Sequence, residues 1–177
     1  TVASVTVKRG DRLTKPADPT KTGYTFGGWY TDKACTTAWN FANDTVREAT
    51  TLYAKWDVAS VSSVKVVDGK DGYTPVTNPV AGQVLKANVT CSDGTEIGTY
   101  PADDRVSYKW YYKESPDTVL GTESAYTVTS DNMGKTICLE VTVKGYNGKA
   151  VWEATAVDTT VERVKNVAEL KAALDNA

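Results

Sequence analysis

The sequence predicts an all-β chain of two units, and three observations carry that reading. Val and Thr are abundant while Leu is scarce, and β-branched side chains suit a pleated, half-buried surface. Apolar residues alternate with polar ones in short runs such as ASVTVKRGD, VSYKWYY and TICLEVTV. Turn signals, DGKDG, SDG, NMGK and YNGK, separate the later runs. A length of 177 residues suits one or two domains, and 41% hydrophobic with 24% charged residues is a globular composition. Ten Tyr and five Trp against two Phe suit small β domains with thin cores, because these rings bring apolar area with a polar handle.

Charge narrows the function classes. Net charge is −2, but residues 1–57 carry eight Lys/Arg against six Asp/Glu, residues 58–162 nine against fourteen, and the tail from Arg163 three against two. No clustered basic face for nucleic acid follows from this. No apolar run approaches the ~20 residues of a membrane span, and no leader pattern is visible in these residues. The opening TVASVTV already reads as strand, so the chain reads as a piece of something longer. There is no histidine. That removes the commonest general base and zinc ligand, and with them Ser-His-Asp and Cys-His arrangements within this chain.

Along the chain, Val5 and Val7 share one face of a first strand that turns at Gly10-Asp11. Pro16 and Pro19 bar a helix or central strand after it. GYTFGGWYTD, residues 23–32, follows, and its Gly27 and Gly28 suit close backbone approach. Trp29 is expected to pack under Trp56 and Trp39. TTAWNF puts Trp39 and Phe41 on one side; TTLYAKW puts Leu52, Ala54 and Trp56 on one face and Tyr53 and Lys55 on the other. The polar DVASVSS then reads as a linker, with a boundary near Asp57–Ser60. This first unit, residues 1–57, resembles the Listeria–Bacteroides repeat, the B-repeat of internalin-type surface proteins. The residues that carry it are Gly10-Asp11, Pro16, Pro19-Thr20-Lys21, Gly23 to Phe26, Gly28-Trp29-Tyr30 and Thr51 to Trp56. The resemblance implies a small β-grasp-like module used in series on bacterial surface proteins. Its members usually open with an extra strand ending in a Gly-Gly turn, and Thr1 falls just after that point.

The second unit spans residues 58–162. Leu85, Ala87, Val89 and Cys91 share a face, as do Val106, Tyr108, Trp110 and Tyr112, and Ile137, Leu139, Val141 and Val143. AYTVTS is a short strand and AVWEATAVDTTV a long last one. About seven strands at this spacing suggest a Greek-key β-sandwich. The blocks Val80, Gly82 and Leu85, Val106 to Trp110, Ala125 to Thr129, and Asp131 with Gly134 to Ile137 resemble bacterial immunoglobulin-like modules of cell-surface and carbohydrate-active proteins. That resemblance implies a spacer or binding module rather than an enzyme, with Trp110 as the inward tryptophan of the third strand. Residues 163–177 read as a linker and short amphipathic helix, with Val167, Leu170, Ala173 and Leu174 at helical spacing. VKNVAELKAAL resembles the helix that opens right-handed parallel β-helix domains, which implies a further domain beyond it.

Cys91, Trp110 and Cys138 stand in immunoglobulin order, and a bridge closing that loop would stabilise by ~4 kcal/mol. Alternation argues against it: Cys91 points inward with Leu85 and Val89, whereas Cys138, between Ile137 and Leu139, points outward. Cys35 has no evident partner. Without a CxxC or a histidine, no zinc site is expected. Asp68 and Asp71 in DGKDG lack the further acids of a calcium loop, and Asp103-Asp104 reads as a loop. No metal and no cofactor are expected, and no lysine suggests an isopeptide bond. Exposed aromatics that could stack on a sugar ring or a protein partner are Tyr111, Trp152 and Tyr30. Together these point to a non-catalytic, monomeric fragment of a secreted or cell-wall bacterial surface protein. It would act as a spacer or stalk, with adhesion to host protein or glycan as a further role. The alternative is a set of accessory modules of a polysaccharide lyase or glycosidase whose catalytic β-helix lies beyond Ala177.

Overall fold

A computed structural model describes residues 4–98 and 103–158. The helix expected within 163–177 and the last residues of the expected final strand lie outside them. The chain separates into two compact units, Thr1–Ala59 and Ser60–Ala177.

In the first unit β1 (Tyr24–Tyr30) pairs antiparallel with β2 (Tyr53–Val58). Phe26 lies opposite Trp56 and Trp29 opposite Ala54, so three steps along β1 face two along β2. The extra residue is a β-bulge at Gly27-Gly28, and Gly28 takes φ +107, a conformation that side chains strongly disfavour. The bulge reverses the alternation of facing. Phe26 and Trp29, an odd number of residues apart, therefore meet edge to face, ring centroids 5.4 Å apart, and Phe26 meets Trp56 at 5.7 Å. The expected packing of Trp29 is thus corrected: Phe26 stands between Trp29 and Trp56. Trp39 joins through its main chain, its N–H donating to the Trp29 carbonyl at 2.8 Å, while its ring meets Phe41. The strand expected around Val5 and Val7 also needs correction. These residues join no ladder among the described residues, and Val5 is 71% exposed. Alternation alone makes no strand without a neighbouring backbone to bond. The turn after it does form, closed by Asp11 N–H donating to Lys8 O at 3.0 Å, and it is tied to Val46, which accepts from Gly10 N–H and donates to Asp11 O. Of the expected β-grasp, the described residues show this two-stranded sheet.

The second unit holds β3 (Val61–Asp68), β4 (Val84–Cys91), β5 (Glu96–Ile97), β6 (Val106–Tyr112), β7 (Ser115–Gly121), β8 (Ala125–Thr127), β9 (Thr136–Val143) and β10 (Ala150–Thr155). One sheet runs β3-β4-β5, with β8 also bonded to β4 beyond β5. The other runs β10-β9-β6-β7. All pairings are antiparallel. DVASVSS is less a linker than two strand ends, since β2 reaches Val58 and β3 starts at Val61. Ser115–Gly121, to which the sequence reading assigns no strand, is β7: a tight turn after Tyr112 leads into an edge strand, where Pro116 is tolerated. The last strand ends its ladder at Thr155.

The inward faces are those read from alternation. Leu85, Ala87, Val89 and Cys91 from β4 meet Val106, Tyr108 and Trp110 from β6 and Ile137, Leu139, Val141 and Val143 from β9 in one buried cluster. Trp110 is fully buried at its centre. Its ring stacks on Tyr126 at 5.4 Å and meets Trp152 edge-on at 6.4 Å, and its indole N–H donates to Glu123 O at 2.9 Å. Tyr126 extends this contact, its hydroxyl donating to Asn132 Oδ1 at 3.1 Å. Asn132, in the 3-10 turn Ser130–Asn132, also accepts from Thr129 N–H at 2.6 Å and donates through Nδ2 to the Tyr112 hydroxyl at 2.7 Å. It is the buried polar side chain of this core, and both ends of its amide are satisfied. The cysteines are free. Cys91 lies in the core cluster, whereas Cys138 sits in the outward row between Tyr111 and Glu153, so the two thiols occupy different layers.

Trp110→Ala should destabilise the sandwich by about 3–5 kcal/mol, read as a lower urea midpoint for amide signals of β6 and β9. Gly28→Val should cost about 1–3 kcal/mol through the positive φ, seen in the β1 and β2 amides.

Candidate binding surface

The outward face of the β10-β9-β6-β7 sheet is the most developed surface of the second unit. One row runs Glu153, Cys138, Tyr111, Val119 across four strands, and the next runs Val151, Glu140, Lys109. Tyr111 lies half-buried in the middle, with Lys109 Nζ 5.3 Å from its ring centroid. Val119 lies directly opposite it, 49% exposed, and Val151, 48% exposed, lies two strands away on β10. Ion pairs frame the patch: Lys113 Nζ to Glu153 Oε1 at 2.7 Å and Lys149 Nζ to Glu140 Oε2 at 2.6 Å. Partial burial raises the Tyr111 phenol pKa, and Cys138 and Glu140 nearby push it the same way. Cys138 is itself raised, first by burial and then by Glu153. The patch is therefore a neutral aromatic ring with one aliphatic neighbour, Val119, and with Lys109, Glu140 and two ion pairs close by. Such a surface suits stacking on a flat apolar face, whether of a sugar ring or of a side chain. The thiol on this face, Cys138, lies 4.0 Å from Glu153 Oε2, and burial and that carboxylate favour its protonated form.

The sequence-predicted aromatics are not brought together. Tyr111 is on this outer face. Trp152, opposite Leu139 in the next row, lies on the inner side of the same sheet against Trp110, with part of its surface open. Tyr30 belongs to the first unit, half-buried at the end of β1 opposite Tyr53. That unit has its own recess, a groove of about 750 Å³ walled by Val5, Trp29, Phe41 and Leu52, with Arg9, Arg12 and Arg47 among its lining. Sequence reading missed it. Its signal was a pair of alternating valines with no partner strand in view.

The acidic loops are engaged internally. Asp68 accepts from Lys70 N–H and from Gln83 Nε2, each at 2.7 Å. Asp71 accepts from the N–H groups of Tyr73 and Thr74 at 3.0 Å and from the Thr74 hydroxyl. These bonds hold both carboxyls below the usual range. Asp103 is forked by Arg105: Nε to Oδ1 at 3.0 Å and the terminal nitrogen to Oδ2 at 2.6 Å, with Arg105 N–H on Oδ1 as well. Its pKa falls to about 2.

Residues 1–55 match the Listeria-Bacteroides repeat domain, the stretch in which that repeat was expected. A protein of Evansella cellulosilytica named as a Gly-rich membrane protein is 30% identical over 125 residues, covering 71% of this chain and 14% of that protein. A second protein of the same organism, named as a membrane protein, is 40% identical over 84 residues, 45% of this chain and 12% of its own length. Internalin H of Listeria monocytogenes is 44% identical over 68 residues, 38% of this chain and 12% of its own. The chain thus spans only 12–14% of these relatives' lengths. No solved structure matches.

Asp103 should titrate near 2 in a carboxyl-detected NMR experiment, and Arg105→Ala should return it toward ~3.9. Because the folded pKa is depressed, the stability from this pair is complete above the unfolded value and lost as pH falls through the folded one. The effect is small, because Arg105 is well exposed.

Proposed function

We propose that the chain is a non-catalytic stretch of a longer bacterial surface protein, in which a Listeria–Bacteroides repeat is followed by an immunoglobulin-like sandwich. The observation that carries this is the repeat match over residues 1–55, joined to the likeness to internalin H. The strand order of the second unit supports the finer description. β3, β4 and β8 stand as A, B and E of an immunoglobulin sandwich, and β10, β9 and β6 as G, F and C, with β7 as an added C′ edge. Trp110 on β6 takes the position of the inward tryptophan of strand C.

The mechanical role is that of a spacer. Two compact units in series would add reach for a distal part of the protein while each keeps its own core. The Tyr111 face supports adhesion as a second role, since it leaves an aromatic ring and the facing Val119 partly open among charged side chains.

The test is replacement in the full-length protein displayed on its cell. Exchanging residues 1–158 for unrelated β modules of equal reach should leave attachment to host surfaces unchanged if the segment only spaces. Loss of attachment, reproduced by Tyr111→Ala alone and matched by lost retardation in polysaccharide affinity gels, would assign the adhesive role instead.

A further inference from the structure

We propose that the Asn147–Gly148 step is a self-modifying site, at which the folded sandwich converts its own asparagine to isoaspartate and aspartate. The step lies in the connection from β9 to β10, and both residues are exposed. Among the described residues, no hydrogen bond engages the Asn147 side-chain amide or the Gly148 N–H. Gly148 holds φ +71, with open space where a Cβ would stand. Electrophile and nucleophile are thus adjacent, unencumbered and free to close a five-membered ring.

The other steps of this type are built differently. Asp68–Gly69, Asp71–Gly72 and Asp93–Gly94 each have the glycine N–H committed to a main-chain carbonyl: Gly69 to Val84 O at 2.7 Å, Gly72 to Asp68 O at 2.8 Å, Gly94 to Cys91 O at 3.0 Å. Their side chains are carboxylates, and those of Asp68 and Asp71 are occupied by their own loops. Asn147 alone among these four joins an amide side chain to an uncommitted neighbouring nitrogen.

The chemistry needs only water. The Gly148 nitrogen gives its proton to hydroxide and attacks Asn147 Cγ. A C–N bond forms, the Cγ–Nδ2 bond breaks and ammonia leaves, with a cyclic imide remaining. Water then adds at one of two carbonyls. Opening at the side-chain carbonyl gives aspartate; opening at the main-chain carbonyl gives isoaspartate, whose backbone runs through Cγ. No redox change occurs, and adjacency supplies the rate advantage of an intramolecular reaction.

Position gives the modification a structural reading. The Asn147 carbonyl accepts from Val61 N–H at 2.9 Å, and Asn147 bridges Ser60, so this main chain holds the first residues of β3. In isoaspartate that carbonyl carbon becomes a pendant carboxylate and the backbone gains a methylene. The Val61 bond is lost in its present form, and a new negative charge appears between Lys144 and Lys149. Age is thereby written into one end of the sandwich.

The experiment is incubation of the whole chain at physiological temperature in mildly alkaline and mildly acidic buffers, followed by peptide mapping. The expected result is a gain of about 1 Da confined to the Asn147 peptide. It should be faster in the alkaline sample, labelled by isoaspartyl methyltransferase, absent from Asn147→Ser, and accompanied by faster hydrogen exchange at Val61. A native chain that keeps its mass while the urea-unfolded chain gains it would overturn the proposal, because the folded turn would then be protective. A mass gain without methyltransferase labelling or any change at Val61 would overturn the structural consequence.

Discussion

The burial of Trp110 is the constraint on which the sandwich rests. An indole this deep brings a large apolar area, but also one N–H that must find an acceptor. Glu123 O supplies it, from the short segment between β7 and β8. The same ring is covered by Tyr126 of β8 and abutted by Trp152 of β10. One side chain therefore fixes where an edge strand of each sheet must lie. Tyr126 in turn commits Asn132, and Asn132 commits Thr129 and Tyr112. The polar chain continues the apolar contact outward, so the 3-10 turn is held by the core rather than by its own short run of backbone bonds.

In the first unit the governing device is a backbone irregularity. A regular β1 would send Phe26 and Trp29 to opposite faces and split the aromatic cluster. The Gly27-Gly28 bulge spends one residue to put both on one side, where Phe26 bridges Trp29 and Trp56. Within GYTFGGWYTD, Phe26 and Trp29 thus give a thin sheet a core of rings, and Gly27-Gly28 set the phase of those rings.

What alternation encodes was legible in the sequence. The inward sets on β4, β6 and β9 follow from period two, as does the separation of Cys91 from Cys138. Legibility failed where a signal needs a partner. Val5 and Val7 alternate like a strand but join no ladder among the described residues. β7 was hidden because Pro116 and a two-residue turn read as loop, and only an edge position reconciles proline with a strand. The Tyr111 patch was half visible: one strand showed that Tyr111 faces out, but Cys138 and Glu140 beside it come from β9, far along the chain, and register cannot be read from one strand at a time. The bulge placed Phe26 between two tryptophans, which no count of aromatics could have shown.

The loop carboxylates that accept hydrogen bonds from their own loops have a consequence for a chain without histidine. Asp32, Asp68, Asp71 and Asp103 are each drawn below their ordinary range by hydrogen bonds from their own loops or neighbours. Nothing with an ordinary midpoint between about pH 5 and 8 is present among the side chains. The balance of charge, and the loop shapes that those carboxylates hold, therefore pass unaltered through mild acid. Mild acid therefore leaves this segment in the same electrostatic dress as neutral fluid.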